Sequence, residues 1–302
     1  MTRLANKAGN VNTMNTDANR AMLRTVDVQR RFDRAAATFD AADVVHRVAR
    51  EGLMARLQPM RVDPRIAVDL GCATGTACRP LARHFRRAHI VAIDLSRQML
   101  ERAAQKKPWL SKTTAMQADA AALPLADHSV DLVFANLLLP WFDAPSVVFN
   151  EVSRVLRQDG LFLFSTLGPD SMLELRHAWR QVDAGEHVNR FADMHDIGDA
   201  AVRAGLRDPV LDVDRLTVTY PGAAELFHDL SAVGARNSLA ARTRSLVGRN
   251  RFRAMTDMLE ATRRDGVIPV ELELVYGHCW GPGPSATKGE YHVDAGHIGR
   301  RR

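Results

Sequence analysis

Three cysteines in 302 residues, Cys72, Cys78 and Cys279, form no C-x-x-C pair and no zinc spacing. That excludes a zinc knuckle and a dithiol redox motif, and it suits a reducing compartment. Long hydrophobic runs are missing as well. No apolar stretch approaches the roughly 20 residues that a membrane span needs. Residues 1–25 lack the apolar centre of a secretory signal and are rich in Asn, Thr and Ala. They are expected to be a disordered leader, and the chain is expected in the cytoplasm. The eleven histidines show no H-E-x-x-H or other paired ligand spacing, so no metal site is expected. Between residues 234 and 264, where arginines are dense, the only aromatic is Phe252. Single-strand readers interleave aromatics with basic residues, so nucleic acid is not an expected partner.

What remains is a chain long enough for one large domain or a domain with a subdomain. Its apolar content of 46% is globular, and its net charge of +6 favours an acidic partner. Residues 26–58 have apolar side chains at helical spacing. "QPMRVDP" breaks that pattern with two prolines. Apolar strands then alternate with helices: strands at 65–71, 88–96, 113–119, 130–139 and 160–168, helices at 76–87, 97–106 and 144–157. Ser96 is placed to cap the helix at 97. Strands apolar on both faces and separated by helices predict an α/β fold with a mostly parallel sheet covered on both sides. Two more strands, 209–220 and 269–280, bring the expected total to seven. The Arg-rich stretch 223–264 between them reads as a helical lid inserted before the last strand. The main domain is expected to span 26–222 and 265–282. Residues 283–302 are expected to form a flexible basic tail.

The turn after the first strand, "VDLGCATGT" (68–76), fails two phosphate-binding patterns. Laid on Gly71, the dinucleotide pattern G-x-G-x-x-G meets Ala73 and Thr76 in place of glycine. The pattern G-x-x-x-x-G-K-[ST] fails because no lysine follows. A ligand with positive charge and no phosphate fits better. S-adenosylmethionine (SAM) carries a sulfonium and an ammonium. Asp69 suits its methionine end by charge, and Gly71 and Gly75 let the backbone approach. Asp94, ending the second strand, is placed to accept both ribose hydroxyls, and Asp119, ending the third, to take the adenine amino group. Asn136 ends the fourth strand beneath the reacting centre. Ligands of open α/β sheets bind at these strand ends. The neighbouring Cys72, Ala73, Leu95, Met99, Ala120 and Leu137 complete the candidate cofactor site, with Cys72 as a small turn residue rather than a nucleophile.

"VDLGCATG", "AIDLS", "ADAAALPLADHSVDLVFANLLLPW" and "EVSRVLRQDGLFLFSTLG" together resemble the successive motifs of class I, Rossmann-like SAM-dependent methyltransferases over residues 65–168. A narrower resemblance runs over nearly the whole chain after residue 28. "FDRAAATFDAADVVHR", "LGPDSMLELRHAW", "TYPGAAELFHDLSAVGARN" and "ELELVYGHCWGP" are similar to the malonyl-[acyl-carrier protein] O-methyltransferases of the biotin pathway. The mitochondrial complex I assembly methyltransferase-like proteins, linked to arginine hydroxylation, share the "YPG…EL…DL…G" stretch and supply an alternative. A small-molecule SAM methyltransferase is another. The chain departs from the biotin family at Phe39, where the family usually has Tyr, and at Ala73, where it often has Gly.

The resemblance implies SAM-dependent methylation of the free carboxylate of malonyl-acyl-carrier protein. A carboxylate is already ionised at pH 7, so it needs desolvation and alignment rather than a base. No catalytic His or Cys is therefore expected. Trp141, Arg176 and Tyr220 are the candidate substrate contacts, with Arg176 as an anchor for the malonyl carboxylate. Arg236, Arg242, Arg244, Arg249, Arg251, Arg253, Arg263 and Arg264 in the lid oppose few acids. As a group they suit an acidic carrier protein with a phosphorylated arm.

Overall fold

The computed structural model describes residues 23–106, 112–235 and 248–283. Most of the expected leader and tail, and Arg236, Arg242 and Arg244, lie outside the described residues. The N-terminal stretch is not one helix. It divides into α1 (Thr25–Ala35), a 3-10 turn at Phe39–Ala41, and α2 (Val44–Leu57). The break lets two apolar faces reach different partners. α2 buries Ala49, Leu53 and Leu57 against one face of the sheet. Burial of a leucine contributes about 1.5–3 kcal/mol. Ala35, Ala36 and Phe39 instead meet Met99 and Val233 in a small separate core.

β1 (Ile66–Leu70) leads through the small-residue turn into α3 (Cys78–His84). β2 (His89–Asp94) follows, then α4 (Arg97–Gln105), β3 (Thr113–Gln117) and β4 (Val130–Asn136). The expected cap is present: Ser96 Oγ accepts from the Met99 amide at 3.1 Å. Ser96 Oγ also donates to Asp33 Oδ1 at 2.6 Å, which ties α1 to the start of α4. α5 (Pro145–Val155) begins with a proline, whose missing N–H is not needed in the first turn, and runs into β5 (Leu156–Leu167).

The sequence pattern sets out no order of elements between 169 and 208. The structure has α6 (Leu173–Arg180) and α7 (Met194–Arg203) there. Both are short, and a short helix leaves little periodicity to read. β6 (Arg207–Tyr220), α8 (Ala223–Ala232), α9 (Arg249–Glu260) and β7 (Ile268–Trp280) complete the described chain.

The strands form one seven-stranded sheet in the order β3-β2-β1-β4-β5-β7-β6. β1 to β5 pair in parallel, and β7 lies antiparallel between β5 and β6. This is the expected α/β sheet. Two cores cover its faces. Val148, Phe149 and Val152 of α5 with Ile197 and Ala200 of α7 fill one, and α2 with Leu81 of α3 fills the other. The chain turns from the β1–β2–β3 side to the β4–β5 side beside β1, and that reversal opens a crevice at the strand ends.

α8 and α9 fall between β6 and β7 in the chain, and they do not stand alone. Leu175 and Trp179 of α6 share a core with Leu226 of α8, Met255 and Leu259 of α9 and Ile268 of β7. One further contact explains a glycine inside a helix. A Cβ on Gly52 of α2 would fall 2.6 Å from Cζ of Tyr276 in β7. The absent side chain makes room for that buried ring, on which the Arg56 guanidinium stacks at 3.7 Å.

Candidate functional site

A crevice lies at the ends of β1, β2, β3 and β4, with about 730 Å³ of space between its walls, open solvent included. Its polar wall carries Asp94, Asp119 and Asn136. Its apolar wall includes Val28, Phe39, Ala120 and Phe142. No Lys or Arg stands among the described lining residues. A polyphosphate would meet no countercharge there, and a cationic nucleoside would meet two carboxylates.

The small-residue turn forms the floor. Gly71 has φ 72° and Gly75 φ 75°, where side chains are disfavoured. A Cβ on Gly71 would also fall 2.8 Å from Leu138 Cδ1. Ala73 has φ 47°. The alanine therefore accepts the left-handed conformation, at a cost of about 1–2 kcal/mol. Two contacts hold it there. The Ala73 amide donates to Asp94 Oδ2 at 2.8 Å, and the hydroxyl of the next residue, Thr74, donates to Asp40 Oδ1 at 2.5 Å. Asp94 Oδ1 accepts from the Ser96 amide at 2.8 Å. Each carboxylate oxygen has a second lone pair for a ligand hydroxyl. Burial raises the Asp94 carboxyl to about 6, against the pull of the Ser96 and Ala73 amides.

Asp69 stands behind this floor. Alternation along β1 puts it on the same face as Ala67, toward α3, while Leu70 reaches the crevice. It is 2% exposed and accepts from Cys78 Sγ at 3.1 Å. Burial raises its carboxyl to about 7; Cys78 opposes that rise and the nearby Asp94 adds to it. Of the candidate cofactor residues, Gly71, Ala73, Asp94, Leu95, Asp119, Ala120, Asn136 and Leu137 line the crevice. Asp69, Cys72, Gly75 and Met99 are not brought to its wall. Burial pushes the Cys72 thiol up, so it is no ready nucleophile.

Asn136 is held by its neighbours. Its Nδ2 donates to the His46 carbonyl at 3.0 Å, and its Oδ1 accepts from Ser165 Oγ at 2.9 Å. Ser165 Oγ in turn accepts from the Leu137 amide at 3.0 Å. The side chain thereby locks α2 to β4, and Leu137 follows with φ 53°. Strained residues of this kind cluster at binding sites.

A second cavity, with about 710 Å³ of space including open solvent, lies between this crevice and α8. Its wall is mostly apolar, with Val45, Leu167, Met172, Leu226 and Val270. Its polar lining is His46, Tyr220 and Asp229, with no Lys or Arg among the described residues. Burial and the charge of Asp229 push the Tyr220 hydroxyl up to about 12. His46, Leu137 and Trp141 line both cavities and form the wall between them. Trp141 is fixed there edge-on to Phe32, centroids 4.9 Å apart.

Trp141 and Tyr220 are thus brought to the second cavity, and Arg176 to neither. Arg176 Nη2 donates to the Asn189 carbonyl at 3.3 Å, and its guanidinium lies beside Phe191. Sequence reasoning missed His46 altogether. It sits within an amphipathic helix without a motif around it, and only the docking of α2 brings it to the wall.

Residues 68–164 match the family described as "Methyltransferase domain". The fold resembles the YcgJ protein of Bacillus subtilis, with TM-score 0.54 at 17% identity, covering 77% of this chain and 98% of that one. It also resembles phosphoethanolamine N-methyltransferase 2 of Haemonchus contortus, with TM-score 0.52 at 16% identity, covering 83% of this chain and 57% of that one. The class is therefore that of the Rossmann-like class I methyltransferases. Two relatives are nearer in sequence. Malonyl-[acyl-carrier protein] O-methyltransferase of Halorhodospira halophila is 40% identical over 281 residues, 91% of this chain and 95% of its own. That of Methylovorus sp. strain MP688 is 41% identical over 261 residues, 84% and 88% of the two chains. The chain belongs to the malonyl-[acyl-carrier protein] O-methyltransferase family.

Proposed function

We propose that the chain methylates the free carboxylate of a malonyl group on acyl-carrier protein, with SAM as the methyl donor. The observation that carries this reading is the wall shared by two cavities. One carries Asp94 and Asp119 and has no Lys or Arg among its described lining residues. The other is apolar and reaches toward α8. Held in the first by Asp94, Asp119 and the apolar wall, SAM would supply a sulfonium methyl to a carboxylate oxygen, its C–S electron pair staying on sulfur, a transfer that needs no proton donor or acceptor.

The residues present suit that donor. Asp94 is placed for ribose hydroxyls, Asp119 for the adenine amino group, and the apolar wall for the ring. Asp69 sits behind the Gly71 turn, and a cation in front of it would draw its raised carboxyl toward the ionised form. The second cavity strips water from the acceptor, which strengthens its attraction to a positive centre across the wall. On α9, Arg249, Arg251 and Arg253 are exposed and suit an acidic carrier. No helix among the described residues is long and apolar enough to cross a membrane.

The test is methyl transfer from labelled SAM to malonyl- and acetyl-carrier protein. Turnover is expected on the malonyl form alone, and its absence there overturns the reading. Growth without biotin of a strain lacking its own such enzyme, once it carries this chain, separates this activity from the complex I assembly alternative.

A further inference from the structure

His46 is the one titratable side chain in the wall between the two cavities. Its Nδ1 is enclosed and has no hydrogen-bond partner in the protein. Leaving such an atom unpaired costs about 1–3 kcal/mol. Its surroundings explain how the ring is held. The ring packs on Phe39, centroids 4.8 Å apart, and its backbone carbonyl is fixed by Asn136 Nδ2. Burial and the charge of Arg50 lower the imidazole to about 4, so it is neutral at pH 7. Because Nδ1 is enclosed, only Nε2 is left to meet a ligand, and a neutral imidazole protonated there has one N–H to donate.

We propose that His46 binds the acceptor carboxylate across this wall by a single neutral hydrogen bond and is the residue that distinguishes a malonyl from an acetyl group. This assignment rests on the methyltransferase reading above. The second cavity offers no guanidinium or ammonium among its described lining residues, and its one charged side chain, Asp229, repels an anion. A bidentate arginine would engage both carboxylate oxygens and withdraw electron density from the attacking one. One N–H from His46 holds one oxygen and leaves the other free to meet the methyl. The methylated product has lost its charge, so its hydrogen bond to His46 weakens and the ester is released.

The experiment compares the parent chain with H46L and H46Q, each loaded with S-adenosylhomocysteine and titrated calorimetrically with malonyl- or acetyl-carrier protein. H46L is expected to lose at least tenfold in malonyl affinity, with acetyl and SAM affinities within twofold of the parent. H46Q keeps an amide donor and is expected to retain most of the malonyl preference. If H46L folds poorly, the parent enriched with nitrogen-15 histidine supplies a second readout. One imidazole signal, absent from H46Q, is expected to shift with the malonyl and not with the acetyl form. Unchanged malonyl preference in H46L, an equal loss of SAM affinity, or no such shift overturns the assignment. A parent that binds SAM yet shows no malonyl preference overturns the functional reading itself, and this assignment with it.

Discussion

The Ala73 amide donates to Asp94 Oδ2 at 2.8 Å. This bond joins the turn after β1 to the end of β2, and it holds an alanine at φ 47°. One carboxylate thereby fixes the floor of the crevice and still offers lone pairs to a ligand.

Asp94→Asn is therefore expected to act twice. It removes the charge, and its amide end cannot accept from both Ala73 and Ser96. Hydrogen bonds to charged groups contribute about 1.5–3 kcal/mol. SAM affinity measured by calorimetry should fall by roughly ten- to hundredfold. An unchanged affinity would remove Asp94 from the cofactor site.

Ala73 reports the strain directly. Ala73→Gly should fold at least as stably as the parent and bind SAM as well, because glycine takes positive φ freely. Ala73→Val puts a β-branched residue where φ is positive. It should cost about 2 kcal/mol or more, seen as a lower melting temperature and weaker SAM binding. Equal melting temperatures for the Gly and Val variants would contradict the strain.

The two raised carboxyls set a pH dependence. Asp69 titrates near 7 and Asp94 near 6 in the folded chain, both above their unfolded value. Folded chains then hold more protons than unfolded ones. Their contribution to stability is complete below about pH 3.9 and is lost as pH rises through 6 and 7. A cationic ligand favours the ionised forms, so binding releases protons. SAM affinity should tighten between pH 5 and 7, by up to about tenfold per unit for each proton released. Calorimetry in two buffers of different ionisation enthalpy counts those protons. A flat profile, or tighter binding at low pH, would contradict this linkage.

Gly52→Ala should destabilise, although alanine is the better helix former. Overpacking against Tyr276 costs about 1–3 kcal/mol, less about 1 kcal/mol gained in the helix. The variant should melt several degrees lower, and pairing it with Tyr276→Phe should recover part of the loss.

The α9 arginines are expected to matter for the carrier and not for the cofactor. Replacing Arg249, Arg251 and Arg253 with alanine should weaken carrier binding and flatten its salt dependence, with SAM binding unchanged. Equal salt dependence in parent and variant would place the carrier elsewhere.

The sequence by itself determined the layers and pointed to the strand ends as the candidate site. Strand and helix periods are local properties. "RIAVDLG", "AHIVAIDLS" and "VDLVFANLLL" declared buried parallel strands, and Ser96 declared its cap. The missing glycines and lysine excluded a phosphate loop. Asp94, Asp119 and Asn136 were legible because a strand end is itself a position in sequence. Tertiary structure decided which strand-end groups face the ligand space. The phase of β1 turned Asp69 toward Cys78, and the docking of α2 on β4 through Asn136 brought His46 to the wall. The packing of α6 with α8 and α9 carried Arg176 away from both cavities. Those outcomes depend on contacts between residues tens of positions apart, and no local period encodes them.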